Sequence, residues 1–213
     1  MKKINLITNF YVDSNTKRQE EIEYCIYQNL KNPLINSIIL FISKKDWDSR
    51  PNKNLSHVDK IVYILQDERP TYNDYFKVTE RCSGINIISN TDIYFNETLQ
   101  LVKDYDWKKD ICFALCRWDA QVHGYPVHYN HRDSQDCWIF YGAVNQMKGA
   151  DFGFGICGCD NKIAFLLVDA GYNVIDPSLS VQSIHVHLSG IRNYDVVKDR
   201  VPPPYKLLDP QTI

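Results

Sequence analysis

A chain of 213 residues, 44% apolar and 23% charged, is long enough to bury the core of one α/β domain and has the composition of an ordinary globular protein. Its net charge of -2, with no basic run longer than the pairs Lys2-Lys3, Lys44-Lys45 and Lys108-Lys109, argues against a partner gripped through nucleic-acid phosphates. Seven cysteines do not make a secreted disulfide framework, and no apolar stretch approaches the roughly 20 residues that cross a bilayer, so a reduced, cytoplasmic protein with no membrane span is expected.

Lys3 to Thr8 is a short apolar run of the kind found in buried strands, and it stops at the polar loop Asn9-Phe10-Tyr11-Val12-Asp13. From Thr16 to Asn32, Ile22, Cys25, Ile26 and Leu30 recur at helical spacing with Glu20, Glu21 and Glu23 near the start, which predicts an amphipathic helix. Ser37 to Ile42 is a second strand, and after a polar loop through Pro51 and Asn54, Lys60 to Leu65 is a third. Pro70 precedes a helix over Thr71 to Cys82, Gly84 ends it, and Ile85 to Ser89 returns as a strand. A loop over Asn90 to Asn96, a helix over Glu97 to Tyr105 and a strand over Ile111 to Arg117 follow. Interleaved strands and helices predict a mostly parallel central sheet covered on both faces.

The second half is less regular. His123 to Arg132 is polar and aromatic, Trp138 to Tyr141 is short and apolar, Gly149 to Gly158 is rich in glycine, and loops are expected to dominate. A helix over Asn161 to Ala170 ends at Gly171, and strands over Asn173 to Ile175 and Ser183 to Leu188 close a single domain spanning 1–200. Residues 201–213 begin Val201-Pro202-Pro203-Pro204-Tyr205, which cannot form a helix or a central strand, and are read as a tail or as a linker to further domains of a longer chain.

In an open parallel sheet, ligands bind at the carboxyl ends of strands, which draws attention to the loops after Thr8, Ser89 and Arg117. Asp92, in Ser89-Asn90-Thr91-Asp92, stands where an acid could hold a divalent cation against a diphosphate, or could cap an Asx-turn. His185 and His187, two apart in a strand, point to one face and could share a ligand or each simply satisfy its own hydrogen bonds. Fourteen Tyr, nine Phe and four Trp supply flat apolar surfaces of the kind that meet sugars, and equally the filling of any core.

The segments LITNFYVD, SNTDIYFN, FALCRWD, SQDCWIF and GCDNKIAFLLVDAGYNVIDPSLSVQSIHVHLSGIRNY, in that order, resemble the small single-domain GT-A glycosyltransferases, most of all the N-terminal domain of a multidomain chlorella-virus protein. The resemblance implies a single Rossmann-like GT-A domain in which the first strand and its loop hold the nucleotide and a D-x-D motif binds the metal. Asp92 then resembles the last acid of that motif and His187 the late ligand, with His185 as its rival, while Asn90 replaces the first acid and leaves, with Thr91, a contact to ribose or to metal-bound water. A carboxylate with an imidazole favours Mn²⁺ over Mg²⁺.

With that resemblance Thr8, Asn9 and Tyr11 become candidates for the base and ribose of a UDP-sugar, or simply end the first strand; Arg69, Asn73 and Asp74 are candidates for its phosphates, base and ribose, or belong to a helix start capped by Thr71; and Arg117 and Asp119, at a strand end, could contact the donor sugar. Asp160, after the glycine-rich stretch, resembles the base that takes the proton of the attacking glycan hydroxyl. Asp136 is the second candidate, with the binding of donor or acceptor hydroxyls as its favoured role; Asp160 at a helix start also fits a cap. A glucose-type or rhamnose-type hexose and a place in viral capsid glycan synthesis are implied in the same way. Three alternatives stay open: a sugar nucleotidyltransferase, a carbohydrate-binding module, and a zinc site of Cys157 and Cys159 with His185 and His187.

Overall fold

The computed structural model describes residues 2–51, 56–191, 195 and 198–213; Asn54 of the expected polar loop and residues 192–194 at the end of the last quoted segment lie outside the described residues. The chain runs β1 (Ile4–Phe10), α1 (Thr16–Lys31), β2 (Ser37–Ile42), β3 (Ile61–Leu65), α2 (Tyr72–Thr79), β4 (Ile85–Ser89), β5 (Ile93–Phe95), α3 (Leu99–Asp104) and β6 (Ile111–Leu115). It continues through β7 (Trp118–Asp119), β8 (Val127–His128), β9 (Cys137–Tyr141), α4 (Cys159–Asp169), β10 (Asn173–Ile175) and β11 (Ser183–His185).

Seven strands form the central sheet in the order β10-β6-β9-β4-β1-β2-β3, parallel throughout except for β9, which runs antiparallel to both its neighbours. The α/β, Rossmann-like, mostly parallel architecture expected from the sequence is the one observed. Strand side chains alternate between two apolar clusters, one on each face: Leu6, Leu40, Ile87, Phe113 and Ile139 meet Ile22 and Ile26 of α1 and Leu99 of α3. Ile7, Phe41, Ile88, Ala114 and Trp138 meet Tyr72 and Phe76 of α2 and Ile163 and Leu167 of α4 on the other face. Burial on both faces is why these strands read as continuous apolar runs rather than alternating ones.

Two differences from the sequence reading shape the site. Trp138–Tyr141, expected among loops, belongs to β9, which inserts between β4 and β6; at its entrance the Asn90 amide donates to the Asp136 carbonyl (3.1 Å) and the Asp136 amide to the Leu115 carbonyl (3.0 Å). Second, part of the expected 90–96 loop is β5, which joins a small sheet of order β5-β11-β7-β8. β5 and β7 continue the chain just past the carboxyl ends of β4 and β6, so β11, paired with both, is carried across that end of the molecule, with His185 opposite Ile93 and Asp119. The expected strand over Ser183 to Leu188 stops at His185, and residues beyond it leave the ladder.

The 201–213 segment is extended and lies along the body. Val201 and Leu208 are buried, and the amides of Val201, Lys206, Leu208 and Gln211 donate to the carbonyls of Cys157, Asn161, Arg132 and Asp176. Among the described residues no helix is long and apolar enough to cross a membrane.

Candidate functional site

The strand order reverses between β1 and β4: the chain moves from β1 outward to β2 and β3, then returns to β4 on the other side of β1. Such a switch point leaves a crevice at the carboxyl ends of the strands. Here it is a cleft of about 710 Å³ whose walls include Asn9, Tyr11, Arg69, Asn90, Thr91, Asp92, Arg117, Asp136, Asp160, His185 and His187, residues drawn from across the whole chain.

Asp92, Asp119, His185 and His187 form one layered arrangement. Asp92 is buried and accepts from Arg18 Nη2 (2.5 Å) and His185 Nε2 (3.1 Å), while His185 Nδ1 meets Asp119 Oδ1 at 2.9 Å. Burial disfavours the Asp92 carboxylate, but the charges and hydrogen bonds of His185 and Arg18 outweigh it and hold the carboxyl below its usual range. Burial likewise opposes charge on His185, yet the Asp92 charge and the bond to Asp119 raise its pKa to about 9. His187 differs: burial and the nearby Arg18 and His185 charges lower its pKa, and its Nε2–H donates to the Ile191 carbonyl (2.6 Å), leaving Nδ1 free of that bond.

One ligand atom each from Asp92, His185 and His187 lie within 4.8 Å of one another, so a single cation can meet all three. The surroundings fit a metal: an imidazole that binds through one nitrogen is usually fixed by a carboxylate or carbonyl on the other, the position Asp119 holds toward His185 and Ile191 toward His187. Among the described residues this group joins the histidines to Asp92 and not to Cys157 or Cys159, which removes the four-ligand zinc arrangement. Cys159 is buried and its Sγ lies 3.0 Å from Asp160 Oδ1.

Asp136 is anchored by three groups. Its Oδ1 accepts from Asn90 Nδ2 (2.8 Å), and Oδ2 accepts from Arg117 Nη1 (3.3 Å) and Ser134 Oγ (3.5 Å). Among the described residues no cation pairs with Asp160 directly, though the Arg117 charge reaches it. Burial first, and then the Asp136 charge, raise its pKa well above the carboxylate range. It sits in the first turn of α4, which Gly158, not Asp160, caps. Between these acids the glycine-rich loop approaches closely: Gly155 has φ +71°, and a Cβ there would stand 2.9 Å from Asn90 Oδ1.

Other expected site residues lie outside the cleft lining. Thr8 Oγ1 donates to the Ser89 carbonyl (2.9 Å), tying β1 to β4. Asn73 spends its amide on Met147 and Asp151, bracing the 147–151 loop, and Asp74 closes a capping box with Thr71. Asp119 turns its carboxylate to His185 and Arg117. Conversely, Arg18, Ser43, Asp46, Gln66 and Tyr129 line the cleft without having been singled out in the sequence. The carboxyl-end rule, extended to β2 and β3, points to Ser43 and Gln66, and a charge at the start of the apolar stripe Arg18, Ile22, Cys25 is the signal for Arg18.

Fold and cleft together define a doubly wound α/β domain with a ligand crevice at its switch point. No protein-family model and no curated protein matches the chain. Solved structures with some likeness include 4-diphosphocytidyl-2C-methyl-D-erythritol synthase from Anaerococcus prevotii, at 15% identity over 66% of this chain and 70% of that one, with a TM-score of 0.39. HddC from Yersinia pseudotuberculosis shows 15% identity over 66% and 77%, with a TM-score of 0.42. S. aureus TarS 1-349 in complex with UDP-GlcNAc shows 12% identity over 87% of this chain and 56% of that one, with a TM-score of 0.44.

Proposed function

We propose that the chain is a metal-dependent glycosyltransferase that moves a hexose, of glucose or rhamnose type, from a UDP-sugar to a hydroxyl of a glycan acceptor. The observation that carries this reading is the convergence of Asp92, His185 and His187 with two further acids, Asp136 and Asp160, in one cleft at the β1/β4 switch point. Asp92, His185 and His187 would hold a cation, Mn²⁺ with Mg²⁺ as a weaker substitute, and the chemistry it would supply is neutralisation of the charge on a departing diphosphate.

Asn9, Tyr11, Thr91 and Arg69 line the cleft and take the nucleoside and phosphates. Arg117 and Asp136 hold the donor sugar, with Asn90 positioning Asp136. The acceptor oxygen forms the new bond to the anomeric carbon while the bond from that carbon to the phosphate oxygen breaks. UDP leaves with the electron pair, and Asp160, whose buried carboxylate binds a proton readily, takes the hydroxyl proton. Thr8, Asn73, Asp74 and Asp119 act behind this surface, through the bonds described above. The resemblance to a viral glycosyltransferase domain extends the reading to capsid glycans built in host cytoplasm, by one domain of a longer chain.

Titration calorimetry tests it: UDP binding that requires Mn²⁺ and is lost in Asp92→Ala is expected, and UDP binding untouched by either change removes the reading. Release of UDP rather than pyrophosphate separates it from nucleotidyl transfer, and glycan binding without any nucleotide requirement would favour a carbohydrate-binding module.

A further inference from the structure

His187 lies past the end of β11, outside the ladder, so something other than sheet hydrogen bonds must hold it beside Asp92. The residues that do so come from α1. Arg18 Nη2 bonds Asp92 Oδ2 (2.5 Å), and Arg18 Nη1 bonds the carbonyl of Val186, the residue between the two histidines, at 3.2 Å. The same Nη1 pairs with Glu21 Oε2 at 3.0 Å. Glu21 then accepts from the Ser189 amide (2.6 Å) and the Ser189 hydroxyl (2.9 Å), two residues beyond His187. The backbone adds one link of its own, from the Val186 amide to the Asp92 carbonyl (2.9 Å).

Both charged residues are buried, at 7% exposure each, on the face of α1 that also carries Ile22 and Cys25. A buried ion pair is weak evidence for stability alone, since its desolvation offsets much of the attraction, and specificity of arrangement is the better-attested return. A guanidinium is a rigid planar fork and can bond two acceptors at a fixed spacing, which an ammonium cannot.

We propose that Arg18, backed by Glu21, is the positioning residue of the cation site: one guanidinium clamps the Asp92 carboxylate to the backbone between His185 and His187, so that the three donors stand ready for an ion. The inference rests on the metal-site reading and adds to it a residue that acts through Asp92 and the Val186 backbone. Outer groups that orient metal ligands typically change metal affinity by about 10–100-fold when removed.

The test uses the whole chain and Mn²⁺ alone, read by loss of the free-ion electron paramagnetic resonance signal, with thermal melting and circular dichroism as fold controls. Arg18→Lys keeps the charge and loses the fork, and is expected to weaken Mn²⁺ binding at least tenfold. Glu21→Ala leaves the Arg18 bond to Asp92 in place, frees Ser189, and is expected to weaken it severalfold, which keeps the inference testable should the Arg18 variant fail to fold. Binding within twofold of the parent in the folded variants, or tighter binding in Arg18→Lys, overturns the positioning role, the latter by showing that Arg18 only competes with the ion. A parent chain that does not bind Mn²⁺ overturns the metal-site reading itself and the positioning role with it.

Discussion

His185 Nε2 stands 3.1 Å from Asp92 Oδ2, although 93 positions of sequence separate them. The contact exists because β5 and β11 pair antiparallel at the carboxyl end of the main sheet, with His185 opposite Ile93, the residue after Asp92. With Asp119 on its other nitrogen, the His185 ring is held between two carboxylates, an arrangement that favours the imidazolium.

That arrangement makes cation binding depend on pH in a defined direction. The His185 pKa is raised from 6.5 to about 9, so at neutral pH its Nε2 carries a proton that a metal must displace. Mn²⁺ affinity is therefore expected to rise with pH between about 7 and 9 and to level off above. Stability of the metal-free chain runs the opposite way. The folded state binds this proton more tightly than the unfolded chain, so the contribution is complete below about 6.5 and lost as pH rises through about 9, a difference of roughly 3 kcal/mol. Melting curves across that range, compared with those of His185→Asn, check the sign; a flat difference between the two proteins would show that His185 is not charged.

Removing the carboxylate has a stability cost separate from its effect on ligand. Asp92→Ala leaves the Arg18 guanidinium buried with one partner fewer, and breaking such a pair costs about 3–5 kcal/mol. Asp92→Asn keeps an oxygen for Arg18 and His185 and is expected to cost clearly less, while still weakening Mn²⁺-dependent UDP binding by at least tenfold. Urea unfolding of both variants beside calorimetry separates the two effects. Equal destabilisation by Ala and Asn would mean that the charge, and not the missing acceptor, sets the cost.

Asp160 and Asp136 are expected to fail in different ways. Asp160, buried and raised by that burial and by the Asp136 charge, suits proton uptake, and Asp160→Asn is expected to lower kcat by about 10²–10⁴-fold with KM for the donor little changed. Asp136, tied to Arg117 and Asn90, is a geometric anchor, and Asp136→Asn is expected to raise donor KM. The same substitution removes a charge that raises the Asp160 pKa, so the acidic limb of the kcat profile should move to lower pH. A limb that stays in place in Asp136→Asn, or a kcat within tenfold of the parent in Asp160→Asn, would assign the proton transfer elsewhere.

The central strands and the helices between them were legible because burial on both faces leaves unbroken apolar runs, and because Thr71 caps α2 as local chemistry requires; α2 itself ends at Thr79, short of the expected Cys82, and Gly84 instead turns the chain into β4. β9 was not, since five residues of apolar character beside loops carry no sign of where in a sheet they insert. β5 and β7 were missed for a related reason: three-residue and two-residue strands have no period, and they exist only through pairing with β11. Asp92, His185 and His187 were visible as motifs, but Arg18 and Glu21 were hidden inside an ordinary helix, where only tertiary contacts distinguish a buried charge from a solvated one.

Asp176 offers a test of the fold away from the cation site. It is buried at the end of β10, with Oδ1 accepting from the Cys116 and Ser178 amides (3.1 Å each), while Oδ2 has no hydrogen-bond partner among the described residues. The Gln135 side chain lies against the same carboxyl, its Nε2 donates to the Arg132 carbonyl (3.2 Å), and its Oε1 has no partner among the described residues. Burial disfavours the ionised acid and outweighs the bonds from Ser178, the Cys116 amide and Gln135 that favour it, so the pKa is raised to about 6. The raised value stabilises the fold fully below about pH 4, and that contribution is lost as pH climbs through about 6. Asp176→Asn removes the buried charge and keeps an oxygen for the Cys116 and Ser178 amides, so it is expected to stabilise the chain at pH 8 by about 1–2 kcal/mol and to be nearly neutral at pH 4.5. Because Gln135 sits between Ser134 and Asp136 and Asp176 anchors the Gln211 amide, the gain should appear in global unfolding by urea, read at both pH values. A variant less stable than the parent at pH 8 would show that the ionised carboxylate, and not a missing proton, is what this position needs.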